Sequence, residues 1–200
     1  MRIAVIGTGG VGGAFGAALA QSGAGVTFVA RGAHLEAMRT NGLRVLGPRG
    51  DVHVQPCKAT DSPAGIGIVD VVLFCVKLWD VESAGAAIKP IVGPNTAVIP
   101  LQNGIDAAER LTPILGRDAM MGGVAQISAV IDRPGVIRQT GTFMKIVFGE
   151  LDGRTSERGV AFEALCRKAG FDVALTDAIQ TALWEKFVLL AVNSSVVSLI

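Results

Sequence analysis

The sequence predicts an α/β fold: a doubly wound, mostly parallel sheet with helices on both faces, extended by further strands and ending in a long C-terminal helix. Three observations predict it. Short apolar runs bounded by turn residues alternate with helical segments, the pattern of βα units in a parallel sheet. A glycine-rich turn, Gly7-Thr8-Gly9-Gly10-Val11-Gly12, joins the first apolar run to the first helix. The 200-residue chain is 50% hydrophobic and 18% charged, with a mean hydropathy of +0.50, enough apolar material for a sizeable core.

Residues 3–6 read as a buried parallel strand, and the alanine-rich stretch 11–21 as a helix ending near Ser22-Gly23. A second strand is expected over 26–29 and a helix over 33–41. Two short strand-like pieces flank Gly47-Pro48 within 43–54. The apolar run VDVVLFCV, 69–76, is typical of a central parallel strand. Residues 81–88 read as a helix closed by Pro90, 96–101 as a strand and 107–115 as a helix. Then the texture changes: 123–131, 135–140 and 145–149 read as successive strands joined by short turns. A helix over 156–169, a strand over 171–175 and a helix over 177–200 complete the chain.

The last helix bears on domain organisation. Trp184, Phe187, Val188, Ala191, Ser195 and Leu199 share one face, while Leu183, Leu189, Leu190, Val196, Val197 and Ile200 lie elsewhere on the cylinder. A helix apolar nearly all round needs cover nearly all round, and one α/β domain supplies only one side. The expectation is therefore residues 1–176 as one domain. Residues 177–200 would then be a linker helix opening a helical second domain outside this sequence. A homodimer burying the other face is the alternative.

The net charge of +1 gives no argument for nucleic acid or an acidic membrane surface. No apolar run reaches the roughly 18 residues of a membrane span, and the run 3–6 is too short for a signal peptide. Cys57, Cys75 and Cys166 are odd in number and lack metal-ligand spacing, which reads as a reducing, cytoplasmic setting without disulfides or a metal site. His34 and His53 read as surface residues beside turns.

The glycine turn fits G-x-G-x-x-G, and its position between strand and helix gives that pattern its weight. Gly7 permits the tight turn, Gly9 lets the backbone approach a pyrophosphate, and Gly12 lets the helix pack on the strand. Thr8, Gly10 and Val11 complete the loop, whose free N–H groups and helix dipole favour phosphate charge. This reads as a Rossmann-type dinucleotide site, the alternative being a plain βα turn whose small residues serve packing. At the end of the second strand, where an NAD site usually carries an acid, the sequence reads Ala30-Arg31. A guanidinium there suits a 2′-phosphate, so the expected cofactor is NADP(H). The alternative is a solvated arginine.

Lys77 follows one central strand, and Gln102-Asn103 follows another. Both therefore stand at carboxyl strand ends, the edge that faces the ligand crevice in open α/β sheets. The competing readings are a strand-end lysine in solvent and a turn dipeptide. Lys186 on the last helix has Leu183 and Leu190 as its helical neighbours. A lysine so placed either snorkels or works in a cleft.

Together the segments IAVIGTGGVGGAFGAALAQSG, VARG, VKLWD, PLQNGI, GVIRQTG, FGELDG and LWEKF, in this order, resemble the ketopantoate reductase (2-dehydropantoate 2-reductase) family. The resemblance implies NADPH-dependent reduction of the 2-oxo group of ketopantoate to (R)-pantoate. It implies that Gly7, Gly9 and Gly12 cradle the pyrophosphate, that Arg31 holds the 2′-phosphate and that Lys77 lines the cofactor site. Asn103 would bridge cofactor and substrate, and Lys186 would be the catalytic lysine, stabilising charge on the carbonyl oxygen and donating its proton. The family often carries asparagine one and two turns after that lysine. Here those positions hold Leu190 and Ser194, with Asn193 one residue off. Asn193 and Ser194 are the substrate-side candidates that remain. The departure implies as alternative a relative acting on another 2-oxo acid or an imine, and a non-catalytic NADP(H)-binding module is a third reading. The family's helical C-terminal domain, through which a homodimer could form, lies beyond this sequence.

Overall fold

The computed structural model describes the backbone of residues 1–197 and side chains through residue 195. The expected continuation of the last helix to residue 200, and the apolar side chains of Val196, Val197, Leu199 and Ile200, lie outside the described residues.

The first half of the chain builds a parallel sheet. Its strands are β1 (Arg2–Ile6), β2 (Gly25–Val29), β5 (Ala59–Thr60), β6 (Val69–Phe74) and β7 (Val92–Pro100), in spatial order β5-β2-β1-β6-β7. All their pairings are parallel. This is the doubly wound order in which strands spread outward in both directions from β1, leaving a crevice at the carboxyl ends where the direction reverses. Side-chain alternation separates two apolar layers. Ile3, Val5, Val71, Leu73, Ala97 and Ile99 face one way. Ala4, Ile6, Val72, Phe74 and Val98 face the other.

Helices cover both faces. Helix α1 (Gly10–Gln21) and α2 (Gly32–Asn41) contribute Phe15, Leu19, Leu35 and Met38 to the first layer. Helices α3 (Val81–Ile88) and α4 (Ala107–Leu115) contribute Val81, Ala84, Ile88 and Leu111 to the second. Each large side chain buried in these layers is worth about 1.5–3 kcal/mol.

The further strands form a second sheet of their own. Strands β3 (Leu43–Leu46), β4 (Val52–Val54), β8 (Met121–Arg133), β9 (Val136–Glu150) and β10 (Asp172–Leu175) are arranged β10-β9-β3-β4, with β8 paired along β9. From β7, Val98 bridges to Met120, the residue before β8. Helix α1 lies between the sheets: a Cβ at Gly13 would meet Ile137 Cγ1 of β9 at 2.8 Å, and one at Gly16 would meet Val5 Cγ2 of β1 at 2.9 Å. The strands expected at 135–140 and 145–149 are a single 15-residue strand, β9. Its first part pairs with β3 and its last with β10, while β8 accommodates the irregular middle by register shifts between Ile127 and Arg133. The two-residue β5 was not expected from the sequence. It is too short to carry a periodic pattern.

Helix α5 (Glu157–Lys168) is capped by Ser156, whose Oγ accepts from Gly159 N–H at 3.2 Å. Helix α6 (Ile179–Val197) packs Ile179 and Leu183 against Val124 and Val147 of the second sheet. Its Trp184, Phe187, Val188, Leu189 and Val192 are exposed, so this chain covers one side of the helix, as its all-round apolar pattern implies. No helix among the described residues is long and apolar enough to cross a membrane.

Candidate active site

The glycine turn occupies the carboxyl end of β1. Gly7 N–H and Thr8 N–H both donate to the Val29 carbonyl, at 3.2 and 3.1 Å. The Thr8 hydroxyl donates to the same oxygen at 2.9 Å. The loop is thereby strapped to the end of β2, which ends one residue before Ala30-Arg31. The first helical hydrogen bond runs from Gly13 N–H to the Gly9 carbonyl at 2.7 Å. The N–H groups of Gly10, Val11 and Gly12 therefore have no acceptor within the helix. Unlike α5, α1 has no side-chain cap and no acidic residue in its first turn.

Each glycine has its own physical reason. Gly7 has φ +91°, a backbone state that side chains disfavour, and its Cβ would meet Cys75 backbone atoms at 2.9 Å. A Cβ at Gly12 would overlap the Gly7 carbonyl oxygen and crowd Val5 Cγ1 at 2.9 Å, the close helix–strand packing expected of the third motif glycine. A Cβ at Gly10 would overlap the Ala129 carbonyl of β8. Gly9 is different: no atom lies within 4 Å of its would-be Cβ, and its φ of −81° does not require glycine. Nothing in the chain explains a glycine there. The open space beside it, next to an uncapped helix N-terminus, leaves room for a bound anion.

The loop opens onto a cleft of about 290 Å³ whose lining includes Gly7, Thr8, Gly9, Arg31, His34 and Lys77. Arg31 is exposed and N-terminal to α2, and Lys77 is exposed just beyond β6. Two cations thus border the cleft, with Asp61 and Asp80 also on its rim. Asp61 lies 3.6 Å from the Arg39 guanidinium.

His34 is not the surface residue expected from the sequence. It is half-buried, lines this cleft, and accepts the Gly135 N–H on Nδ1 at 3.1 Å. It ties the β8–β9 turn to the cleft beside the glycine turn. Burial pushes its imidazole below the usual histidine range, against the opposing effect of the Thr8 carbonyl. A residue 101 positions away in sequence from its partner leaves no local signal. His53 is exposed, with Nε2 at 2.8 Å from the Asn41 carbonyl.

A second cavity, of about 750 Å³, lies between the second sheet and α6, and Val11, Asn103, Lys145, Glu185, Lys186 and Leu190 are among its lining residues. Lys186 is half-buried and donates from Nζ to the Ala125 carbonyl at 2.7 Å. Burial lowers its pKa below the ordinary lysine value. Asn103 stands exposed at the carboxyl end of β7, in the same cavity. Its neighbour Gln102 donates from Nε2 to the Val76 carbonyl at 3.0 Å, joining the ends of β7 and β6. The Gln102 Oε1 is buried without a hydrogen-bond partner among the described residues.

Of the residues singled out from the sequence, Gly7, Thr8, Gly9, Arg31 and Lys77 share the first cavity. Val11, Asn103 and Lys186 share the second. The helix start that carries Val11 thus separates the two. Asn193 and Ser194 are exposed on α6, outside the lining of either. Leu190 takes a place in the second cavity. Among the described residues no cluster of metal-ligating side chains occurs.

Comparison with known proteins bears on the family and the fold. A family model described as Ketopantoate reductase PanE/ApbA matches residues 3–153. An uncharacterized oxidoreductase of Bacillus subtilis, YkpB, is 29% identical over 199 residues, covering 100% of this chain and 65% of that protein. A 2-dehydropantoate 2-reductase of Mesorhizobium japonicum is 30% identical over 207 residues, covering 93% of this chain and 63% of that protein. The chain therefore spans just under two thirds of the length of these relatives. The crystal structure of 2-dehydropantoate 2-reductase from Porphyromonas gingivalis W83 is similar with a TM-score of 0.93 at 37% identity, covering 99% of this chain and 71% of that one. With the family model spanning the glycine turn, the parallel sheet and β9, the chain belongs to the ketopantoate reductase PanE/ApbA family.

Proposed function

We propose that this chain carries the cofactor site and the proton donor of an NADPH-dependent reductase of 2-oxo acids, with 2-dehydropantoate as substrate and (R)-pantoate as product. The observation that carries the reading is Lys186. Its ammonium is half-buried and oriented by the Ala125 carbonyl, in a cavity that also contains Asn103 and reaches the start of α1.

A reduced nicotinamide, when bound, supplies a hydride. The chain's own residues do the rest. The uncapped start of α1 offers N–H groups to the pyrophosphate, and Gly9 leaves room for it. Arg31 offers a planar guanidinium to a 2′-phosphate. Lys77 adds positive charge along the same cleft. Asn103 orients cofactor and substrate where the strands end. Lys186 stabilises the oxygen of the 2-oxo group as it gains charge, then gives up its proton there.

A relative acting on another 2-oxo acid or an imine is the second reading. Leu190 favours it, because this apolar side chain lines the cavity where family members often carry asparagine. The test is a substrate panel with the protein at its native length, following loss of reduced cofactor for NADPH and NADH in parallel. Reduction of 2-dehydropantoate well above other 2-oxo acids supports the first reading, and preference for another compound supports the second. Tight NADPH binding without reduction of any carbonyl or imine would reduce the protein to a binding module.

A further inference from the structure

The cavity beside Lys186 contains a second cation that the family resemblance did not bring to notice. Strand registers place it. On β8, β9 and β10, Val124, Val147 and Ala174 form one cross-strand row, and Gln126, Lys145 and Asp172 form the next. Residues in register across neighbouring strands point to the same face, and residues two apart along a strand share it. Val124 and Val147 of the apolar row pack beneath Ile179, Ala182 and Leu183 of α6. The polar row therefore stands on the α6 side of the sheet, one step beyond that contact. Gln126 and Lys145 both line the cavity.

Lys186 approaches the same place from the helix. Its Nζ bonds the carbonyl of Ala125, the residue next to Gln126, and Gln126 is the register partner of Lys145. Lys145 is partly buried. Among the described residues it makes no ion pair: neither Asp172 in its own row nor Glu185 on the cavity wall comes within salt-bridge distance of it. The charged residues of the lining are then Lys145, Glu185 and Lys186.

We propose that Lys145 is a specificity-determining residue that binds the carboxylate of the substrate, leaving Lys186 to its 2-oxo oxygen. The inference rests on the reductase reading above and names the part of the substrate it had left unassigned. A 2-oxo acid carries one permanent charge and develops a second on the adjacent oxygen. One ammonium already committed to a backbone carbonyl serves a single oxygen best. A second, unpaired ammonium on the facing wall suits the carboxylate, and an uncharged carbonyl compound or imine has no use for it.

The test measures binding apart from turnover. Calorimetric titration with 3-methyl-2-oxobutanoate and with its methyl ester is carried out in the presence of NADP⁺, on the full-length protein and its Lys145→Met and Lys145→Arg variants. Lys145→Met is expected to weaken the acid by about 10- to 100-fold, to leave the ester unchanged, and to retain the thermal transition of the unmodified protein. Lys145→Arg is expected to keep most of the acid affinity. Equal weakening of acid and ester, unchanged affinity for the acid in Lys145→Met, or no binding of the acid by the unmodified protein would each overturn the proposal. Binding of the acid that depends on Lys145, in a protein that reduces no 2-oxo acid, would uphold this assignment while refuting the reductase reading.

Discussion

The Lys186 ammonium and the Ala125 carbonyl, 2.7 Å apart, join α6 to the second sheet at the wall of the larger cavity. This bond fixes where the Lys186 ammonium stands, and burial around it makes the charged form less favourable. The consequence is a pH dependence with a definite sign. In the proposed mechanism reduction needs the ammonium, so kcat is expected to fall as pH rises through the Lys186 pKa. Because that pKa is lowered, the fall is expected to begin below the ordinary lysine value of about 10.4. A kcat profile flat up to that value would contradict the assignment.

Gly9 and Gly10 are adjacent but are expected to respond differently to alanine. Gly9→Ala meets no protein atom within 4 Å, so the melting temperature is expected to stay unchanged while cofactor affinity collapses. Gly10→Ala drives its Cβ into the Ala129 carbonyl and is expected to cost about 1–3 kcal/mol of stability. Thermal unfolding and cofactor titration on both variants separate ligand space from packing space. Undiminished cofactor binding by Gly9→Ala would remove the phosphate site from this loop.

Arg31 lines the cleft from an exposed position at the end of β2. Arg31→Ala is expected to weaken NADPH by about 10- to 100-fold and to leave NADH nearly unchanged. Equal effects on the two cofactors, measured by titration, would make Arg31 a general contributor of positive charge and not a reader of the 2′-phosphate.

The two sheets are tied together by charge as well as by packing. Arg158 holds Glu150 bidentately at 2.8 and 2.7 Å and also donates to the Thr96 carbonyl of β7 at 3.1 Å. The Glu150 side chain is 5% exposed. Burial would raise its carboxyl pKa, but hydrogen bonds from Arg158 and Ser156 outweigh this and hold it below the usual range. The contribution is thus present above the unfolded glutamate value of about 4.3 and is lost as pH falls from there toward the folded value. Arg158→Met leaves a buried carboxylate alone and is expected to cost about 3–5 kcal/mol by denaturant unfolding. Adding Glu150→Leu to that variant is expected to recover much of the loss.

Much of the fold was legible because most of its parallel strands are short, largely apolar runs bounded by turn residues. Residues 69–76 could hardly be anything but a central strand, and Val69–Phe74 is one. The glycine turn, Arg31 and Lys77 were legible because position relative to a strand end is enough to bring them together. The second sheet was less so. Gly141 and Thr142 interrupt the apolar alternation of β9, and they fall where the ladder with β8 shifts register, between the pairs Gln139–Ala129 and Met144–Ile127 that hold the strand on either side. His34 and Lys145 were missed for a related reason. Each acquires its place through partners distant in sequence, Gly135 for one and Gln126 for the other, and neither lies in a motif.

In the proposed mechanism Lys186 serves the chemistry and not the binding of cofactor. The most direct measurement is the steady-state kcat of Lys186→Ala in the full-length protein, with the NADPH dissociation constant determined on the same preparation. The account requires kcat to fall by about 10²- to 10⁴-fold with the dissociation constant unchanged. Turnover close to that of the unmodified protein would contradict it.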